Sequence, residues 1–261
     1  TGATIDATGG IILSGQFYWP GGALAGSGSL QTAPGSLTEI SGATKTLTQR
    51  FVGIGGNGNW LGGDISTGSA AQFHVIAGGS LAISANVSFN YNLGGAISSF
   101  VNGGTLSSHG TRGVSGAFLN GGGLSVEGGL LTLLGGRRWV STSMAVAPHA
   151  IIKLDNHSHA LGGDIALTGA GEVRVTGGTV SVVGTYSSTG TTRITAGTMS
   201  FDPTAPATLA QLFLTNGTLS GGGTVNVTGQ FTWSGGSLSG AGTTNVLSGA
   251  TARLDGAVKS L

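Results

Sequence analysis

Gly15-Gln16-Phe17-Tyr18-Trp19-Pro20-Gly21-Gly22-Ala23-Leu24-Ala25-Gly26-Ser27-Gly28 returns near the other end of the chain as Gly229-Gln230-Phe231-Thr232-Trp233-Ser234-Gly235-Gly236-Ser237-Leu238-Ser239-Gly240-Ala241-Gly242. The register of the match holds without a gap to the last residue, with Gly35, Gly42, Ala43, Lys45 and Leu47 matched by Gly249, Gly256, Ala257, Lys259 and Leu261. A middle copy is present as well. Ser14-Gly15 and Phe17 answer to Ser115-Gly116 and Phe118, and Leu61-Gly62-Gly63-Asp64-Ile65 to Leu161-Gly162-Gly163-Asp164-Ile165. The spacing divides the chain into long super-repeats, approximately 14–114 and 115–227, with a truncated third at 228–261. Internal repetition of this kind is read before anything else, because it decides the fold class.

A shorter beat runs inside the long units. Thr218-Leu219-Ser220-Gly221 recurs at a shift of 19 as Ser237-Leu238-Ser239-Gly240, and Thr105-Leu106-Ser107 at a shift of 18 as Gly123-Leu124-Ser125. Locally the period is two: Glu172-Val173-Arg174-Val175, Thr179-Val180-Ser181-Val182 and Thr224-Val225-Asn226-Val227 alternate polar and apolar within strand-sized runs. Glycines bound these runs, as at Gly78-Gly79, Gly177-Gly178 and Gly221-Gly222-Gly223, where sharp turns require positive φ. No convincing helix is found; Ala207 to Leu214, after Pro203 and Pro206, is the best candidate for a helical turn.

A step of roughly 20 residues suits one coil of an all-β parallel β-helix, with about three short strands per coil and each strand paired with its equivalent one coil on. Roughly 13 coils fit the chain as a single continuous solenoid over 1–261, ~60 Å long at ~4.8 Å per coil. The recurring Asn102-Gly103, Asn120-Gly121 and Asn216-Gly217 suit tight turns, where Asn tolerates the left-handed conformation and hydrogen-bonds its stacked neighbour.

Composition narrows the function classes. The 261 residues include 53 glycines, only 7% charged residues and no cysteine. Mean hydropathy is +0.28, which excludes a charged disordered tail and means that apolar groups are buried. Ten basic and nine acidic residues stand almost singly and leave a net charge of +1, so nothing points to nucleic acid. No apolar run approaches the roughly 20 residues of a membrane helix, so membrane insertion is not expected. Without cysteine there is neither a disulfide framework nor a thiolate metal site.

The run from Gly217 to Gly240, Gly-Thr-Leu-Ser-Gly-Gly-Gly-Thr-Val-Asn-Val-Thr-Gly-Gln-Phe-Thr-Trp-Ser-Gly-Gly-Ser-Leu-Ser-Gly, resembles the tandem repeats of large secreted bacterial β-helix proteins. Filamentous-haemagglutinin-like adhesins and autotransporter passenger regions are of this kind. The resemblance implies a right-handed parallel β-helix displayed at the bacterial cell surface or in the extracellular matrix, and it transfers no catalytic residue.

Lys153, Asp155, His157 and His159 occur at period two, so an extended chain projects them to one side, where His-x-His beside Asp is a weak candidate for a divalent metal. A shift of 100 maps them onto Gly53, Gly55, Asn57 and Asn59, in an expected turn region from Gly53 to Asn59 without ligands, which favours a solvated loop. Asp64 and Asp164 repeat after Gly-Gly and suit a carboxylate accepting backbone N–H groups. Gly55-Gly56-Asn57-Gly58-Asn59 lacks the Asp of a calcium roll. Phe17 with Trp19, and Phe231 with Trp233, share a face; they form an interior aromatic stack or, as the weaker alternative, an exposed platform for a host or matrix saccharide. Polysaccharide cleavage needs clustered acids, and the nine available are spread thinly, although stacking of coils roughly 20 residues long leaves a pair such as Asp155 and Glu172 open.

The expected function is therefore non-enzymatic and without cofactor: an adhesin stalk or rod, or a fibre subunit that stacks end to end. The repeat that breaks off at Leu261 suggests either a longer array or completion by another copy. The alternative is a lateral face that binds or cleaves carbohydrate.

Overall fold

The computed structural model describes residues 2–136, 138–140, 143–162, 166–202, 205–256 and 259–260, together with their side chains except at 138–140 and 166. Strands and turns make up the described residues, with no helix among them, and the strands pair in parallel. The chain is a parallel β-solenoid of about 12 turns. It folds as two compact units, Thr1–Leu124 and Ser125–Leu261.

In the first unit each coil supplies three strands, and equivalents stack in three columns. Thr4–Asp6, Gly22–Ala25, Lys45–Thr48, Ile65–Gly68 and Ser88–Tyr91 form one column. Gly10–Leu13, Ser29–Thr32, Phe51–Ile54, Gln72–Val75 and Ser99–Asn102 form the second. Gln16–Trp19, Leu37–Ile40, Asn57–Trp60, Ser80–Ile83 and Thr105–Ser108 form the third. The step between stacked partners varies in residue number from 18 (Ser99 with Ala117) to 27 (Gln72 with Ser99). Longer corners such as the one carrying exposed Leu93 and Ile97 absorb the difference, and the total of about 12 turns is close to the expected 13.

Period-two alternation sends every second side chain inward, and stacking then lays like on like. Leu30, Val52, Phe73, Phe100 and Phe118 succeed one another up a single interior column. Their rings pack obliquely, with centroids 5.2 Å apart for Phe73–Phe100 and 5.8 Å for Phe100–Phe118. Burying a side chain of this size contributes ~1.5–3 kcal/mol, available only once the neighbouring coil is present. Asn102 and Asn120 extend the interior stack with a polar rung: Asn102 Nδ2 donates to Asn120 Oδ1 at 2.7 Å. Both residues end strands and neither has positive φ, so their role is the inward amide ladder and not a left-handed turn.

The second unit stacks in the same way, with steps in residue number between 18 (Ala207 with Val225) and 23 (Gly236 with Lys259). Thr218 pairs with Ser237 and Leu219 with Leu238, at the shift of 19 that the sequence displays. Here adjoining columns merge into long bent strands, Ser187–Ile194, Ala207–Leu214 and Thr224–Trp233. Ala207–Leu214 is thus a strand, not the helical turn expected after Pro203 and Pro206. Register shifts at Leu209/Gln211, where the strand turns a corner, so Leu209 and Leu212 both point inward at a spacing of three that imitates a helix. The expected turn from Gly53 to Asn59 is likewise mostly strand: Phe51–Ile54 and Asn57–Trp60 flank a corner at Gly55 and Gly56. Gly53 and Gly58 lie within these strands, where a Cβ would meet Ile76 Cδ1 at 2.7 Å or Leu81 Cδ1 at 2.9 Å, so glycine makes room for the neighbouring coil.

Corners need glycine for two separable reasons. Gly249 has φ +85° with open space around its missing side chain, whereas Gly178 has φ +63° and a Cβ there falls 2.1 Å from His157 O in the coil below. Gly249→Ala is expected to cost about 1 kcal/mol, the left-handed penalty alone. Gly178→Ala is expected to cost at least twice that, because backbone must move. Urea unfolding of the two variants checks the ordering.

Candidate functional site

Trp19 and Trp233 lie inside. Trp19 is 4% exposed and Trp233 5%, and each indole lies 6.4 Å from its Phe partner, at 27° to Phe17 and 22° to Phe231. Neither offers a face to a sugar ring, so the platform reading of Trp19 and Trp233 gives way to the interior stack. The exposed aromatic of the first segment is Tyr18, whose hydroxyl donates to Gln16 Oε1 at 2.7 Å. Trp60 and Trp233 close corners. In Trp60-Leu61-Gly62-Gly63 and Trp233-Ser234-Gly235-Gly236 the indole N–H donates to the carbonyl of the closing glycine, at 2.9 and 3.4 Å. Those accepting glycines have φ of +69° and +82°, and Gly22, which holds the same place after Trp19, has +87°. The Trp-x-Gly-Gly spacing, shared by Trp19, Trp60 and Trp233, was the signal in the sequence for this corner.

Lys153, Asp155, His157 and His159 do not converge. Lys153 lies in the strand Ile151–Leu154 and its Nζ pairs with Asp155 Oδ2 at 2.8 Å. Burial pushes the Asp155 carboxyl upward, but Lys153 and the hydrogen bond from the Asn156 N–H outweigh it and hold it below the usual carboxylate range. The chain then turns at Asn156, with φ +64°, which breaks the period-two projection. The exposed His157 ring meets Leu134 O through Nδ1 at 2.7 Å, whereas His159 is 1% exposed with Nε2 3.2 Å from Asp155 O. One imidazole points out and the other in. Among the described residues no group of three or more His, Cys, Asp or Glu side chains is placed to hold a metal.

Asp155 and Glu172 do not form an acid pair either. Glu172 stacks on Ile151 and accepts from Arg174 Nε and from Arg193 Nε, the latter at 3.2 Å, while Asp155 stays with Lys153. Asp64 accepts the Ser88 N–H at 2.8 Å and the Asn90 amide at 3.2 Å, so its carboxylate ties its corner to the next coil. Asp164 lies outside the described residues.

Sequence reasoning missed the buried cations of the first unit. Lys45 and Arg50 are both 0% exposed, and Arg112 is buried as well. Lys45 Nζ donates to Ala43 O and Gly62 O, both at 2.8 Å. Arg50 reaches carbonyls of two successive coils, with Nη1 at 3.0 Å from Ala7 O and 2.6 Å from Ala25 O. Arg112 Nη1 donates to Ile83 O at 2.7 Å. These carbonyls lie at corners and strand ends; Ala7 O, Ala25 O and Ile83 O also accept a backbone N–H from a neighbouring coil, and the cationic side chains supply further donors. Desolvation lowers Lys45 to about 8, with Asp64 opposing, and lowers Arg112 to about 10. A basic residue at the Lys45 position recurs as Lys259, whose Nζ donates to Asp255 O at 2.7 Å. That recurrence was the available signal.

The class that fold and geometry define is a parallel β-solenoid whose polar interior groups serve its own backbone. In comparisons with known proteins, no family model, no curated protein and no solved structure matches the chain.

Burial lowers the His159 pKa below its ordinary value, so the folded state favours neutral imidazole. Its contribution to stability is therefore present above about 6.5, the unfolded value, and is lost as pH falls below it. His159→Leu should flatten the acid-side decline in the urea midpoint of the unit Ser125–Leu261; an equal decline in the variant would count against this. In the unit Thr1–Leu124, Lys45 carries the opposite end of the scale. Stability should grow as pH rises from about 8 toward the unfolded Lys value of 10.5, and Lys45→Met should abolish that gain.

Proposed function

We propose that the chain is a non-enzymatic structural β-solenoid of the bacterial cell surface or extracellular matrix, acting as a stalk segment or as a fibre subunit through stacking of its coils on further coils. The observation that carries this reading is the stacking itself. In each unit parallel hydrogen bonds join coil to coil in every column, so the bonding that holds the fold together is also bonding on which further coils can be added. The interior supports it, because within each unit aliphatic and aromatic side chains stack from coil to coil, joined in the first by an amide rung. The side chains with catalytic potential also support it: Asp155, Glu172, His157 and His159 are occupied separately, by Lys153, by two arginines and by backbone carbonyls.

Electron microscopy of the purified chain over a concentration series checks the reading. Particles that lengthen with concentration by whole subunits are the expected outcome for a fibre subunit. Single particles at every concentration would remove the fibre version and leave the stalk. Turnover of a polysaccharide by the purified chain would overturn both.

A further inference from the structure

The ten basic residues, nearly all single in the sequence, are sorted by the fold. Lys45, Arg50 and Arg112 go inside. In the unit Ser125–Leu261 four others come to one outer column. Lys153 pairs with Arg174, Arg174 with Arg193, Arg193 with Phe213, Phe213 with Thr232 and Thr232 with Arg253, one residue per coil. Adjacent rungs are ~4.8 Å apart, so the column runs ~24 Å. The four basic side chains are partly exposed, at 28%, 33%, 29% and 72% in chain order.

The arginines share one arrangement. Arg174 and Arg193 both present Nε to Glu172 Oε1, and Arg253 presents Nε to Asp255 Oδ2. The Nη1 and Nη2 atoms of all three have no protein acceptor among the described residues. A carboxylate at Nε fixes the plane of a guanidinium and leaves the terminal fork free, and that fork takes a second carboxylate or a sulfate with two parallel bonds. The Arg193 guanidinium is further fixed 4.4 Å over the Phe213 ring. The receptor is thus oriented before any ligand arrives, which lowers the ordering cost of binding.

Beside the later four rungs of this column runs a second, two positions earlier on each strand: Thr191, Gln211, Gln230 and Thr251, stacked in successive coils, with Ile151 and Glu172 in the same place on the first two rungs. The hydroxyls and amides of those four residues are uncharged donors and acceptors. A ligand that lies along both columns offers acidic groups to one and hydroxyls to the other, at intervals near a single coil step. That chemistry is a sugar polymer bearing acid groups. Three acids lie among the four cations and leave the strip at +1 (Lys153, Arg174, Arg193 and Arg253 against Asp155, Glu172 and Asp255), so recognition rests on the oriented forks more than on bulk charge.

We propose that this lateral strip binds an extended acidic polysaccharide, with Arg174, Arg193 and Arg253 receiving its carboxylate or sulfate groups and Lys153 adding charge at one end. The proposal goes beyond the structural role and is tested separately from it, since stacking is read by microscopy and this by binding.

The experiment titrates the full chain with polygalacturonate at low salt, with dextran and oligo-dT as comparisons. Polygalacturonate should bind, and added salt should weaken the complex. Arg174→Gln with Arg193→Gln should weaken binding by about tenfold or more, the loss of charge-assisted bonds at two rungs, with thermal unfolding unchanged. Thr232→Glu, which puts a negative charge into the same column while removing no cation, should weaken it too and decides the matter if the double variant fails to fold. No binding, dextran or oligo-dT bound as tightly as polygalacturonate, or affinity unmoved by the substitutions would overturn the proposal.

Discussion

One coil of about 20 residues cannot enclose its own apolar side chains, and the structure follows from the stacking that encloses them. Phe100 is buried because Phe73 lies in the coil before it and Phe118 in the coil after. The same pairing that covers the side chain also satisfies the backbone, since each strand takes its hydrogen bonds from neighbouring coils and not from a hairpin partner. Burial and hydrogen bonding are therefore won or lost together, rung by rung, and cooperativity runs along the stack.

Stacking at this spacing brings corners as close together as strands, and it accounts for the composition. A corner that must lie directly on the one below has no space for a side chain, as at Gly178 over His157 O, and its carbonyls need donors beyond the strand ladder. Glycine solves the first difficulty. Indole N–H groups and buried cations solve the second: Trp60 on Gly63 O, Lys45 on Ala43 O and Gly62 O, Arg50 on Ala7 O and Ala25 O. Few charges are present, and three of the basic side chains are spent on the interior at a desolvation cost that their carbonyl partners offset.

Much of this was legible in the sequence because the rules that dictate it are local or periodic. Alternation at Glu172-Val173-Arg174-Val175 and the return of Thr218-Leu219 as Ser237-Leu238 identify strands and the coil that carries them. The misreadings share one physical cause, a break in phase at a corner. The bulge at Leu209/Gln211 turned a strand into apparent helical spacing. The turn at Asn156 put His157 outside and His159 inside although their spacing is two. Phe-x-Trp at 17–19 and 231–233 was legible as a shared face, but which way the face pointed depends on where the corner begins, and that is set by Gly22 and Gly236 adopting positive φ.

Charge was the least legible property, for a reason that belongs to solenoids in general. In a helix or a hairpin, residues that act together lie a few positions apart or face one another across a turn, so a cluster shows as a local run. In a stack, lateral neighbours are separated by a full coil, and single charges that look scattered fall into a column when their spacings follow the step. Lys153 stacks on Arg174 and Arg174 on Arg193 because the numbers that separate them are the steps that join their strands. A net charge of +1 over 261 residues describes neither the interior cations of one unit nor the outer column of the other. The chemistry of such a chain has to be read at the interval of its coil, where a substitution on one strand acts on its equivalent one coil away before it acts on its neighbours in sequence.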